Sequence, residues 1–121
     1  MKVGRIFYFD AAHQLKDYKG KCENLHGHTY KLEVVVSGDI SSEGMVLDFS
    51  KLKDIVNREI IEELDHKNLN EIFEQPTAEL IAMWIFDKLN KAIEEEKLNV
   101  RLAEVKLWEG KGKWVSISNP P

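Results

Sequence analysis

Two stretches near the N-terminus carry the hydrophobic pattern of β-strands. Residues 3–13 are rich in β-prone aliphatic and aromatic side chains, which is typical of a strand. In residues 28–37 every even position from Tyr30 to Val36 is apolar, and the first odd positions are polar. Because successive side chains of a strand point to opposite faces, this period of two predicts a strand with one buried face. The polar residues 14–25 between the two stretches predict a loop.

The middle of the chain carries the three- and four-residue periodicity of two amphipathic helices. Apolar residues recur at these steps through residues 49–64, and Asp48 is suited to cap the first turn. Thr77 is predicted to cap a second helix, whose apolar stripe continues to about Glu95. Residues 45–47 are apolar and could add a short strand before the first helix.

Alternation returns at the C-terminal end of the chain. In residues 99–109 every second position from Ala103 to Leu107 is apolar, which again predicts a strand with one buried face. Residues 114–118 predict a last strand, and residues 110–112 contain two glycines that suit the turn between the two strands.

The order of these elements, β-β-α-α-β-β, predicts one α+β domain spanning residues 1–121. We expect a four-stranded antiparallel sheet with two helices on one face. Such a sheet leaves its other face and its edge strands uncovered, and oligomerisation is one way to cover both.

Composition narrows the class of protein. The hydrophobic fraction of 43% and the charged fraction of 31% are those of an ordinary globular domain. A net charge of -4 provides no broad basic field, so we expect neither a nucleic acid partner nor a membrane partner. The single cysteine excludes an internal disulfide, and no apolar run approaches the roughly 20 residues that cross a bilayer. With no secretory signal at the start, we expect a cytoplasmic protein.

Three of the four histidines fall where a metal site could form. His26 and His28 flank Gly27, and a spacing of two puts both imidazoles on the same face of an extended segment. His13 ends the first predicted strand, which a hairpin would bring beside the start of the second. Three imidazoles with an open fourth position are typical of catalytic zinc. The alternative is a solvated turn beside a hydrogen-bonded histidine, and spacing alone leaves both interpretations open.

Three further places carry chemically useful side chains, each with a structural alternative. Cys22 could serve as a base near a metal or be a buried small side chain. Asp65 and His66 could form a proton-transfer pair or simply end a helix. Glu109 is in register with the apolar positions of its strand, so it is either a buried carboxylate that needs a ligand with N–H donors or a solvated turn residue.

Taken together, these residues resemble the family of 6-pyruvoyltetrahydropterin synthase and 6-carboxytetrahydropterin synthase. The match runs along nearly the whole chain in six ordered blocks, which makes a chance resemblance a poor explanation. The blocks are residues 9–13, 22–30, 44–49, 64–70 and 76–79, and finally Glu109.

The resemblance implies a zinc-dependent enzyme that acts on the side chain of dihydroneopterin triphosphate. Zn²⁺ would act as a Lewis acid beside a thiol and an Asp–His pair that move protons, while a carboxylate anchors the pterin ring. By matching positions, the zinc ligands are His13, His26 and His28, the catalytic residues are Cys22, Asp65 and His66, and the substrate-binding residues are Glu109 and Thr77.

The resemblance also implies an assembly. The family has the T-fold (tunnelling fold), in which three subunits join their sheets into a barrel and two trimers stack into a homohexamer. Active sites in that fold lie between subunits. This arrangement would cover the exposed sheet face and the edge strands of the predicted domain.

The spacing between the cysteine and the first histidine indicates a branch of the family. Three residues separate Cys22 from His26, which resembles the 6-carboxytetrahydropterin synthase branch of queuosine and other deazapurine biosynthesis. The expected reaction releases acetaldehyde and triphosphate. Two alternatives are a 6-pyruvoyltetrahydropterin synthase, which eliminates only triphosphate, and a pterin- or purine-binding module without activity. The residues at 110–114 depart from the family pattern and leave substrate preference open.

Overall fold

The fold is built on a mixed, mainly antiparallel sheet. A computed structural model describes residues 1–15 and 24–119 of the chain. The strand order is β3-β1-β2-β4-β5, in which only the short β1–β3 pair is parallel. The strands are β1 (Lys2–His13), β2 (His26–Ser37), β3 (Lys67–Asn68), β4 (Arg101–Glu109) and β5 (Trp114–Ser118).

The four long strands are those that the alternation predicts, and the α+β class is confirmed. The structure adds β3, a strand of two residues beside the end of β1. Residues 45–47 do not form a strand, so the suggestion of extra strand there is wrong.

The helices lie on one face of the sheet. The first helical segment contains α1 (Phe49–Val56), a π-helical stretch (Asn57–Ile61) and α2 (Glu62–Leu64). It begins where the Asp48 side chain accepts a hydrogen bond of 2.8 Å from the Ser50 N–H. A single 3₁₀ turn (Leu69–Glu71) follows, and the long helix α3 (Ala78–Glu95) completes the layer. No helix in residues 1–15 and 24–119 is both long and apolar enough to cross a membrane.

The core fills the space between the helices and the facing side of the sheet. Tyr30, Leu32 and Leu107 are fully buried there, as the alternation predicts. On β4 the alternation is interrupted, because the register with β2 shifts between Val35 and Val36. The shift leaves Ala103 without a partner on β2, as the extra residue of a β-bulge. Beyond the bulge, the residue of β4 that continues the core is Leu102.

Candidate metal centre and active site

The β1–β2 pairing brings three histidines into one cluster. His13 lies directly opposite His26 in the antiparallel register, and His28 lies opposite Ala11. The ring centroids are 4.8 Å apart for His13 and His26, 5.0 Å for His13 and His28, and 4.6 Å for His26 and His28. All three rings lie on the face of the sheet that carries the core, because they alternate in step with the buried residues of their strands.

Main-chain carbonyls orient two of the three rings. The Nδ1 atom of His13 is 2.8 Å from the carbonyl oxygen of Pro76, and the Nδ1 atom of His26 is 2.6 Å from that of Asn24. A carbonyl oxygen can only accept, so each Nδ1 must carry the proton and donate. The Nε2 lone pairs of both rings are therefore free for a metal, an arrangement usual among metal-binding histidines.

The cluster fits a metal ion on chemical grounds. The candidate ligand atoms all lie within 4.8 Å of one another, whereas ligands of tetrahedral zinc are about 3.3 Å apart, so a small closure completes the site. The Nε2 atoms of His13 and His28 are buried without a hydrogen-bond partner among the described residues. Burial, together with the neighbouring imidazoles, lowers the pKa of His28 despite the opposing effect of Glu109. An imidazole that favours the neutral form, with a buried Nε2 atom that makes no hydrogen bond, is suited to accept a cation.

Glu109 extends the cluster with a carboxylate. It ends β4 opposite Tyr30, and its Oε1 atom is 3.4 Å from the Nε2 atom of His28. The Glu109 side chain is 18% exposed, so it lies at the edge of the core and is not part of the solvated turn. Burial, and secondarily the charge of Glu109, raise the pKa of Tyr30, which keeps the phenol neutral. The turn begins only at the next residue, where Gly110 has a φ of 69°.

Asp65 and His66 form a pair beside the end of β1. The Oδ2 atom of Asp65 is 3.0 Å from the Nδ1 atom of His66. The Asp10 N–H donates to the Oδ1 atom of Asp65 at 3.0 Å, and the His66 N–H donates to the Asp10 carbonyl at 2.6 Å. The hydrogen bond from the Asp10 main chain, and then those from His66, lower the pKa of the Asp65 carboxyl group. His66 has a φ of 59°, a backbone conformation that this pairing supports.

An open groove links the pair to the histidine cluster. His66 is 78% exposed and borders this groove of about 540 Å³, which Asp10, Thr29 and His28 also line. Within the described residues no hydrogen bond or ring contact joins His66 to the three clustered histidines. The structure thus brings His13, His26, His28 and Glu109 together and places His66 on a groove that His28 also lines, without a direct contact between the two rings.

The two other candidate residues are Cys22 and Thr77, and the structure describes only Thr77. Cys22 lies outside the described residues. Thr77 caps α3, and its hydroxyl oxygen accepts a hydrogen bond of 3.2 Å from the Leu80 N–H. Sequence reasoning missed the carbonyl groups of Asn24 and Pro76 and the main-chain bridge at Asp10, because main-chain contacts across the fold leave no signal in residue types.

The fold and the cluster define a class of protein, namely α+β T-fold proteins with three clustered histidines that could hold a metal ion beside a partly buried carboxylate. The family model described as 6-pyruvoyl tetrahydropterin synthase matches residues 2–120. The chain therefore belongs to this family of pterin synthases. Its membership in a family of enzymes supports an enzymatic activity on pterins.

Relatives named for particular reactions are similar over most of the chain. A dihydroneopterin monophosphate aldolase of Pyrococcus furiosus is 48% identical over 109 residues, which cover 88% of this chain and 90% of the relative. A 6-carboxy-5,6,7,8-tetrahydropterin synthase of Haemophilus influenzae is 40% identical, with coverage of 89% and 92%. Among solved structures, 6-pyruvoyl tetrahydropterin synthase of Caenorhabditis elegans has a TM-score of 0.85 at 28% identity, covering 99% of this chain and 96% of that one.

Proposed function

We propose that the protein is a zinc-dependent 6-carboxy-5,6,7,8-tetrahydropterin synthase of queuosine biosynthesis that acts in the cytoplasm. It converts 7,8-dihydroneopterin triphosphate and one molecule of water to 6-carboxytetrahydropterin, acetaldehyde and triphosphate. The observation that carries this proposal is the histidine cluster, in which two buried Nε2 atoms lack a partner and two Nδ1 atoms are held by carbonyls. The relative from Haemophilus influenzae and the spacing of Cys22 and His26 support the choice of reaction.

The roles of the residues follow from their chemistry. When bound by His13, His26 and His28, Zn²⁺ supplies Lewis acidity next to the substrate side chain. Glu109 accepts paired hydrogen bonds from N–H groups of the pterin ring and so fixes the orientation of the side chain.

Proton transfer falls to three other residues. Cys22, as the thiolate, takes a proton from a carbon of the side chain. His66 exchanges a proton with the substrate on the side opposite to Cys22. Asp65 keeps the His66 ring oriented through the 3.0 Å contact. Thr77 lies near the pterin, in addition to its part in capping α3.

We propose a homohexamer with active sites between subunits. In one chain the groove beside the Asp65–His66 pair reaches His28 but is open to solvent, and among the described residues no hydrogen bond or ring contact joins His66 to the three clustered histidines. A neighbouring copy that contributes its own pair to the cluster would complete the site.

A second candidate reaction is an aldolase reaction on dihydroneopterin monophosphate. The observation that favours it is the relative from Pyrococcus furiosus, which bears that name at 48% identity. An aldolase of this kind breaks the bond between the first and second carbons of the side chain. The products are 6-hydroxymethyl-7,8-dihydropterin and glycolaldehyde phosphate, so the phosphate leaves on the two-carbon fragment.

Product identification decides between these reactions. The zinc-loaded protein is incubated separately with dihydroneopterin triphosphate and with dihydroneopterin monophosphate, and all pterins and aldehydes are identified by mass spectrometry. We expect 6-carboxytetrahydropterin and acetaldehyde from the triphosphate. The matched control is the Cys22→Ser variant, which retains the histidine cluster and is expected to lose at least about a hundredfold in rate if the thiolate is the base.

Each of the other possible product patterns would assign a different activity to the protein. Glycolaldehyde phosphate from the monophosphate would replace the proposal with the aldolase. A pyruvoyl pterin without acetaldehyde would identify a 6-pyruvoyltetrahydropterin synthase. No turnover of either substrate by protein with a full complement of zinc would leave a pterin- or purine-binding module.

A further inference from the structure

The face of the sheet without helices carries a row of aromatic and cationic side chains. Tyr8, Lys31, Trp108 and Trp114 are consecutive partners across β1, β2, β4 and β5, so they form one rung of the sheet. Lys106 lies on β4 two residues before Trp108 and therefore on the same face. We call the residues Lys31, Lys106, Trp108 and Trp114 the lysine–tryptophan patch.

Indole rings hold both ammonium groups of the patch. The Nζ atom of Lys31 is 4.4 Å from the centre of the Trp108 ring. The Nζ atom of Lys106 is 4.7 Å from the same ring and 4.0 Å from the ring of Trp114. Cation–π contacts of this length restrain the two flexible side chains, so the positive charges are kept close together on the surface.

The carboxylates of Glu33 and Glu104 lie on the same face as the patch, but no ion pair joins them to its lysines among the described residues. The ion pairs of the described residues include neither Lys31 nor Lys106. Glu33 is the residue opposite Lys106 in the strand register, yet it forms no ion pair with it. Two like charges held side by side repel each other, and an anion that touches both removes this repulsion.

A groove beside the patch gives room for an elongated anion. It has a volume of about 560 Å³, and two lysines line it, Lys31 of the patch and Lys111. Lys111 lies between two glycines with φ values of 69° and 79°, in the tight turn that joins β4 to β5. The groove shares Thr29 with the groove that His66 borders, so the two are neighbours on the same face.

We propose that the lysine–tryptophan patch and its groove bind a polyphosphate chain. Lysine ammonium groups bind phosphate oxygens as point charges, and a chain with several phosphates reaches several lysines at once. A single phosphate reaches fewer of them and binds more weakly. The identity of the polyphosphate rests on the proposed function. It is either the triphosphate group of the substrate or the inorganic triphosphate that the reaction releases.

Calorimetric titration of the full-length protein with inorganic triphosphate tests this proposal. The bound metal is measured before and after each titration, so that removal of the metal is not mistaken for binding. We expect the Lys31→Gln/Lys106→Gln double variant to bind about tenfold or more weakly than the unaltered protein. The matched control is Lys88→Gln, since the Nζ atom of Lys88 lies 5.0 Å from the Trp84 ring on α3 and is expected not to affect binding.

Arginine variants separate charge from shape. Lys31→Arg/Lys106→Arg keeps both charges and is expected to retain binding within a few fold. Equal affinities for the unaltered protein and the glutamine double variant would overturn the proposal. Orthophosphate that binds as tightly as triphosphate would overturn it as well, because the patch would then not recognise a chain.

The KM for dihydroneopterin triphosphate shows whether the bound polyphosphate belongs to the substrate or is the free anion. An increase in KM for dihydroneopterin triphosphate in the glutamine double variant assigns the patch to the substrate, and an unchanged KM with weakened triphosphate binding assigns it to the free anion. Binding is measured without turnover. A protein that binds triphosphate through these lysines but converts no pterin would contradict the proposed function alone.

Discussion

The His28→Ala variant is expected to lose tight zinc binding and, with it, nearly all turnover. The ring of His28 lies beside two other imidazoles, and its Nε2 atom is buried without a hydrogen-bond partner among the described residues, with the Glu109 Oε1 atom 3.4 Å away. Even residues that only orient a metal ligand change metal affinity by about 10- to 100-fold, so removal of a ligand should cost at least about 100-fold. The loss of several kcal/mol of Lewis acid stabilisation corresponds to a fall in turnover of about a thousandfold.

The fourth histidine of the chain provides the matched control. His66 is 78% exposed, and in the described part of the chain no hydrogen bond or ring contact joins it to the three clustered histidines. His66→Ala is therefore expected to bind zinc as the unaltered protein does while it loses turnover through the missing proton transfer. Zinc affinity is measured by competition with a chromophoric chelator. Unaltered zinc affinity in His28→Ala, or equal losses in both variants, would contradict the assignment of the metal ligands.

The Glu109→Gln variant is expected to bind pterin about 10- to 100-fold more weakly while it retains its fold. A hydrogen bond to a charged group contributes about 1.5–3 kcal/mol, and the amide keeps the shape but not the charge. Glu109 is mostly buried beside His28, so solvent screens the carboxylate only in part. The dissociation constant of a non-reactive pterin, measured by fluorescence, reports this loss without turnover.

A carboxylate elsewhere on β4 serves as the control for Glu109. Glu104→Gln removes the same charge from the strand but at a distance from the histidine cluster, since Glu104 pairs with Val35 and Ser118. It is expected to leave pterin binding unchanged. Pterin affinity that Glu109→Gln does not alter would contradict the role of Glu109 as the anchor and would make it a neighbour of the metal site only.

Local pattern was sufficient to predict most of the fold. The period of two from Tyr30 to Val36 fixed which side of β2 is buried, because an error of one residue would expose the whole apolar set. Two features escaped the pattern. The two residues of β3 pair with β1 through contacts distant in sequence, and the π-helical stretch Asn57–Ile61 keeps the helical spacing of apolar residues almost unchanged.

The candidate site was predictable to the extent that it depends on strand pairing. A hairpin necessarily brings His13 close to His26, and the register of β4 carries Glu109 to the same end of the sheet. The ring orientations depend instead on main-chain carbonyls, such as that of Pro76, which any residue type would provide. The position of His66 on a groove that His28 also lines depends on the main-chain hydrogen bond from His66 to Asp10, and this could not be inferred from a motif.

Zinc-dependent chemistry on the substrate side chain is expected to release acetaldehyde. The most direct test is the ratio of acetaldehyde released to dihydroneopterin triphosphate consumed, measured with zinc-loaded protein and with the same protein after zinc removal. We expect one acetaldehyde per pterin consumed by the zinc-loaded protein and none from the zinc-free protein. Acetaldehyde release is expected to recover when zinc is added back. Consumption of the pterin without acetaldehyde, or equal rates with and without zinc, would contradict this expectation.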